Sequence, residues 1–273
     1  MPAPSPALWR CAVGRVLVIS SQVAASRVGA NATRFVLERL GHEVVLLPTV
    51  LLGRHPGWGV PGGGATPLEL LEGMWRGVAA QGLRFDAAIT GYFAGAEQVR
   101  FAARVLDAAS PGFALVDPVM GDGALYVPQG VAEAIARELV PSADIITPNA
   151  WEWDWLKSRG AAARARVVTS HREGERIGAL FADAREGWQV LHERLPRVPH
   201  GGGDALAGLW VAHRLAGLAP RLSLEAAVGS VYALLREAHE RGEAELPLAG
   251  AQGRLVDPLP LSATPLPTHS EAT

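Results

Sequence analysis

Short apolar runs separated by longer amphipathic stretches constrain this chain more than any other feature. Gly14 to Ser20, Val44 to Leu47, Asp86 to Thr90, Phe113 to Asp117 and Asp144 to Thr147 are brief and almost continuously apolar, as strands buried on both faces are. Between the first two, Val28, Phe35, Val36, Arg39 and Leu40 recur at helical spacing and stop at Gly41, a residue type that favours a helix C-terminus. Alanine-rich helical stretches separate the later runs. Strand alternating with helix predicts an α/β fold: a mostly parallel central sheet with helices on both faces.

The rhythm changes after Arg166. Arg166 to Ser170, Ile177 to Ala182 and Trp188 to Leu195 are joined by charged turns too short for crossover helices, so they are expected as antiparallel strands at one sheet edge. Helices are expected over Ala205 to Leu218 and Leu224 to Arg241, followed by a proline-rich tail. With 49% hydrophobic and 19% charged residues, the chain has apolar surface enough for a core. It reads as one domain over residues 11–262, with a disordered extension at 1–10 and a tail at 263–273. Val50 to Thr66, rich in glycine and carrying His55 and Trp58, is too long for an ordinary connection and is expected to be a flap.

Composition removes several kinds of chemistry. Lys157 is the single lysine, and its Trp-Leu-Lys-Ser context fits neither a P-loop, a protein-kinase strand nor a Schiff-base site. A net charge of −2 supplies no basic field for nucleic acid. One cysteine, Cys11, forbids an internal disulfide, and no apolar stretch approaches the length of a membrane span. A soluble cytoplasmic protein is expected, with neither nucleic acid nor membrane as partner.

Gly57-Trp58-Gly59-Val60-Pro61-Gly62 matches a dinucleotide fingerprint in letters only, because it contains Pro61 and does not lead from strand to helix. His200-Gly201-Gly202-Gly203-Asp204 is sharper. Glycines opening an apolar helix can point N–H groups at an anion, and an acid in that first turn could take a proton from an attacking hydroxyl; a glycine loop with Asp204 as helix cap is the plainer alternative. Asp117 and Asp122 follow a strand end, where ligands bind in open α/β sheets. They suit Mg²⁺ or form an Asp-Pro turn. Asn149 and Glu152, in Thr147-Pro148-Asn149-Ala150-Trp151-Glu152, share a helix face and are most simply a capping box.

Taken in chain order from about Val16 to Pro260, these segments resemble the ribokinase superfamily and, within it, the pyridoxal kinase family. The resemblance implies a three-layer ribokinase-like fold and ATP-dependent phosphorylation of the 5′-hydroxymethyl group of pyridoxal. It implies Asp204 as catalytic base, with Gly201, Gly202 and Gly203 as anion hole. Ser21, Thr49, His55, Tyr92 and Asp204 are implied on the vitamin side, and Asp117, Tyr126, Asn149, Glu152, Thr169, Ser170 and Gly203 on the ATP side. Asp117, Asp122, Thr147 and Glu152 are implied around Mg²⁺, with K⁺ as an accompanying ion and a homodimer as the assembly.

Two positions depart from the family pattern. Gly202 stands where a threonine is usual, and Ala30-Asn31-Ala32 follows Gly29 where an asparagine often follows directly. Hydroxymethylpyrimidine kinases carry a cysteine at the place of Asp204, which disfavours them. A sugar or nucleoside kinase on the same fold is the other enzymatic alternative, and a non-catalytic vitamin B6 binding protein is the alternative from a different class.

Overall fold

The computed structural model describes residues 13–266. The extension expected at residues 1–10 and Cys11 lie outside them, as does 267–273 of the expected tail.

The elements are β1 (Arg15–Val23), α1 (Ala30–Arg39), β2 (Glu43–Leu52), β3 (Gly63–Ala65), α2 (Leu68–Ala79), β4 (Ala87–Thr90), α3 (Ala96–Ala109), β5 (Ala114–Val116), α4 (Gln129–Ala134), β6 (Ile145–Ile146), α5 (Ala150–Ser158), β7 (Arg166–Glu173), β8 (Arg176–Ala182), β9 (Gly187–Glu193), α6 (Gly202–Leu215), α7 (Pro220–Arg241) and β10 (Thr264–Pro265). They build one sheet in the order β10-β9-β8-β7-β6-β5-β4-β1-β2-β3. From β2 to β7 every neighbouring pair is parallel.

Side-chain alternation along β1 assigns the layers. Val16 and Val18 pack into the core shared with α1, α6 and α7, whereas Leu17 and Ile19 face the core shared with α2, α3, α4 and α5. All four are fully buried, so a one-residue slip would exchange one covered face for the other.

Three expectations need adjusting. Antiparallel strands flank the sheet on both sides, because β3 pairs with β2 as well as β8, β9 and β10 extending β7. β10 lies beyond residue 262, so part of the expected tail belongs to the sheet. The last two helices start earlier than expected, α6 at Gly202 and α7 at Pro220, where proline suits the first helical position.

Candidate active site

Register places the chemistry on one rim. Ile19, Thr90, Val116 and Ile146 are mutual partners across β1, β4, β5 and β6. Their successors Ser20, Gly91, Asp117 and Thr147 therefore line up at the carboxyl ends of the parallel strands. A side chain at Gly91 would strike Ser20 Oγ at 2.3 Å, so this row closes tightly.

The N-terminus of α6 meets that rim. Gly201 is the helix N-cap, with φ of 96°, and a Cβ there would lie 2.5 Å from the Arg27 carbonyl oxygen. Only glycine satisfies both conditions. Gly202, Gly203 and Asp204 occupy the first turn, whose N–H groups have no carbonyl partner within the helix. Asp204 is thus inside the helix and not its cap. Burial pushes its carboxyl up to about 6, against the backbone N–H groups of Gly29 and of Asp204 itself, which pull it down. A carboxylate poised near neutral pH beside unpaired N–H groups can accept a proton where negative charge develops.

Asp204 and Gly201 border a cavity of about 560 Å³ whose walls include Ser21, Gly29, His55, Tyr92, Asp122, Tyr126 and His200. Gly29 is obligatory, with φ of 59° and a virtual Cβ 2.2 Å from Ser21 Oγ. The displaced asparagine braces the loop before Gly29, because the Asn31 amide donates to the carbonyls of Val23 and Ser26.

Thr49, expected on the vitamin side, sits behind the cavity wall, next to the lining residue Val50. It is fully buried, and its hydroxyl donates to the Tyr92 carbonyl at 2.6 Å. Gln98 Nε2 donates to the Thr49 and Thr66 carbonyls, both at 2.9 Å. Thr49 therefore anchors the segment that presents Tyr92 and does not reach the cavity.

The flap is more ordered than its composition suggests. Val50, Leu51 and Leu52 pair with Ala65, Gly64 and Gly63, leaving a short turn, Pro56–Trp58, at its tip. The His55 Nδ1 accepts from Gly57 N–H at 3.1 Å, which leaves Nε2 as the protonated nitrogen of a neutral ring. Burial and the neighbouring His200 hold His55 below the usual histidine range, with Glu245 opposing. His200 lies 4.7 Å from the His55 ring and 6.2 Å from Trp58, joining the flap to the residue before Gly201.

Glu152 ties the segment after β5 to the start of α5. Its Oε1 accepts from Met120 N–H at 2.7 Å and Gly121 N–H at 3.2 Å, and its Oε2 from Asn149 N–H at 2.8 Å. Asn149 returns the capping box by accepting from Glu152 N–H at 2.9 Å. Trp151 packs so closely on Gly121 that any side chain there would meet it at 2.3 Å. Burial raises Glu152 and its three backbone donors oppose that rise. Asp117 is pushed well above the carboxylate range by burial, then by Asp204 and Glu152; the Thr147 hydroxyl opposes this without reaching hydrogen-bond geometry. Tyr126 is raised by desolvation and by the carboxylates of Glu152, Asp117, Asp204 and Asp122, although the residue as a whole is exposed.

No three His, Cys, Asp or Glu residues are grouped to hold a metal among the described residues. Glu152 repels both Asp117 and Asp122, and such an array of carboxylate oxygens is chemically suited to a hard cation arriving on a triphosphate. Thr169 bridges to Asn149, while Ser170 sits exposed at a bulge with φ of 55°. These two lie on β7, away from the Asp204 cavity.

The family model for phosphomethylpyrimidine kinase matches residues 59–179. Pyridoxal kinase PdxY of Rubrobacter xylanophilus is 33% identical over 272 residues, covering 89% of this chain and 94% of its own. The pyridoxine/pyridoxal/pyridoxamine kinase of Bordetella avium is 33% identical over 239 residues, covering 77% and 81%. The pyridoxal kinase of Leishmania donovani in complex with ADP and pyridoxamine has a TM-score of 0.84 at 27% identity, covering 93% of this chain and all of that one. The chain belongs to the pyridoxal kinase family of the ribokinase superfamily.

Among residues around the cavity, sequence reasoning assigned no role to His200. Its position directly before the glycines was the available signal.

Proposed function

We propose that this enzyme transfers the γ-phosphoryl group of ATP to the 5′-hydroxymethyl group of pyridoxal, giving pyridoxal 5′-phosphate and ADP. The observation that carries the reading is Asp204, a carboxylate held near pH 6 at the foot of the α6 N-terminus and open to the cavity. It accepts the hydroxyl proton as the alcohol oxygen bonds to the γ-phosphorus and the bond to the β-phosphate oxygen breaks. The N–H groups of Gly202 and Gly203, with Gly201 shaping the turn, face the charge that spreads over the transferring oxygens.

Ser21 and His55 offer polar contacts to the vitamin ring, with Tyr92 as a wall. Asp117, Asp122 and, through its remaining lone pair, Glu152 would hold Mg²⁺ with Thr147 nearby; bound on the triphosphate, the ion would neutralise phosphate charge. Tyr126, Asn149, Thr169, Ser170 and Gly203 form the nucleotide side, and K⁺ is the proposed monovalent ion. The flap excludes water from the γ-phosphate. No helix among the described residues is long and apolar enough to cross a membrane, in keeping with a cytoplasmic enzyme; a homodimer follows the family resemblance.

An ATP-consumption assay across pyridoxal, pyridoxine, pyridoxamine, hydroxymethylpyrimidine and ribose tests this reading. Pyridoxal should support the highest kcat/KM. A preference for hydroxymethylpyrimidine or ribose, or binding of pyridoxal without turnover, would overturn it.

A further inference from the structure

Three segments distant in sequence converge behind the Asp204 cavity, and Glu245 is where they meet. Its backbone segment runs beside His200: His200 N–H donates to the Ala244 carbonyl at 2.9 Å, and Leu246 N–H to the His200 carbonyl at 3.2 Å. Its side chain turns the other way. One carboxylate oxygen accepts from the Ser26 hydroxyl, the other from Arg27 N–H at 2.7 Å. The Arg27 carbonyl in turn leaves no room for a side chain on Gly201, and two residues later the Gly29 N–H acts on the Asp204 carboxyl, pulling its pKa down. Ser26 is almost fully buried and its carbonyl is already tied to Asn31.

We propose that Glu245 is a positioning residue for phosphoryl transfer, clasping the Ser26–Arg27 loop against the His200–Gly201 segment so that the vitamin-side loop and the anion hole stay in register. It is not among the residues that line the cavity. Besides its charge acting on His55, its influence passes through two donors, Ser26 and Arg27, to the loop that carries Gly29 and to the close approach of Arg27 and Gly201. A carboxylate accepts both donors at once without needing a proton of its own. Aspartate, one methylene shorter, cannot span to both from the same backbone. Glutamine can, since its carbonyl oxygen accepts from Arg27 N–H while its amide donates to Ser26 Oγ.

The inference rests on the pyridoxal kinase reading, and the experiment separates the two. Wild type, Glu245→Ala, Glu245→Gln and Ser26→Ala are compared for kcat and for KM toward pyridoxal and ATP, with Tm for each. Displacement of the loop by about 1 Å is expected to lower kcat/KM for pyridoxal by about 10–100-fold in Glu245→Ala. The KM for ATP should change much less than that for pyridoxal, because the nucleotide side, Gly203 apart, is held by Glu152, Asn149 and β7 on other elements. Glu245→Gln should recover most of the lost rate, and Ser26→Ala should show a smaller loss confined to pyridoxal. In the double variant the two losses should not add.

If Glu245→Ala fails to fold, Ser26→Ala alone decides, since it removes one hydroxyl: an unchanged KM and kcat for pyridoxal would overturn the clasp. Equal loss on pyridoxal and ATP in step with a lowered Tm, or a Gln variant as slow as Ala, would also overturn it. A wild type that does not phosphorylate pyridoxal would instead remove the reading beneath it.

Discussion

Gly201→Ala and Gly202→Ala are neighbouring substitutions that the geometry sends in opposite directions. At Gly201 the methyl must occupy backbone with φ of 96° and stand 2.5 Å from the Arg27 carbonyl. Holding a side chain in such backbone costs about 1–3 kcal/mol before the clash is relieved. At roughly 2–4 °C per kcal/mol for a chain of this size, Tm should fall by about 2–12 °C. At Gly202 the methyl sits in the first helical turn, 3.7 Å from Val231 Cγ1, an ordinary contact. Alanine should stabilise there by about 0.4–1 kcal/mol, chiefly by restricting the unfolded chain. Thermal melts by circular dichroism, paired with pyridoxal turnover, measure both. Turnover in Gly201→Ala should drop by about 10²-fold because the helix N–H groups are displaced, while Gly202→Ala should remain active. Two variants that melt with the wild type, or Gly202→Ala as the more damaged, would refute the reasoning.

The pH profile of kcat/KM for pyridoxal should fall tenfold per unit below about 6 and flatten above it, because Asp204 serves as base only when ionised; a profile flat down to pH 5 contradicts this. Burial, then the neighbouring His42, depresses His213 to about 4. Its contribution to stability is full above the unfolded histidine pKa near 6.5 and is lost as pH falls toward 4, about 3 kcal/mol in all. Because the raised carboxylates act in the opposite sense, His213→Gln compared with wild type from pH 7 to 4.5 isolates it: the variant should lose less stability. Gly63→Ala would place a methyl 2.0 Å from the Leu51 carbonyl oxygen and unseat β3, so the ratio of ATP hydrolysis to vitamin phosphorylation should rise; an unchanged ratio shows that this strand does not seat the lid. Trp58, 40% exposed, should change fluorescence when pyridoxal and a non-hydrolysable ATP analogue bind together, against a Trp58→Phe control.

Much of this architecture was legible because the decisive signals are local. Alternation in Val16-Leu17-Val18-Ile19 and the run of strand, helix and strand define the parallel sheet, and glycines opening an apolar helix mark α6. β3 was not legible: Gly63-Gly64-Ala65 has turn composition, and pairing with β2 makes it a strand. Thr49 illustrates a second limit. A hydroxyl just past the apolar run Val44 to Leu47 looks available until β2 carries it on through Thr49 and the backbone carbonyl of Tyr92, 43 residues away, claims it. Asn149 and Glu152 are the capping box that local pattern describes, yet the same carboxylate also fixes Met120 and Gly121, which no local pattern contains. Glu245 carries no motif, because its partners at Ser26 and Arg27 lie more than 200 residues earlier.

Asp204→Asn bears on this cavity more directly than any other substitution. It keeps shape and hydrogen-bonding capacity but removes the proton acceptor, so pyridoxal affinity measured by calorimetry should stay within a fewfold of wild type. Turnover of pyridoxal to its 5′-phosphate, followed by chromatography, should fall by about 10²–10⁴-fold. A variant that phosphorylates pyridoxal at close to the wild-type rate would take Asp204 out of the reaction and contradict the assignment of this cavity as the phosphoryl-transfer site.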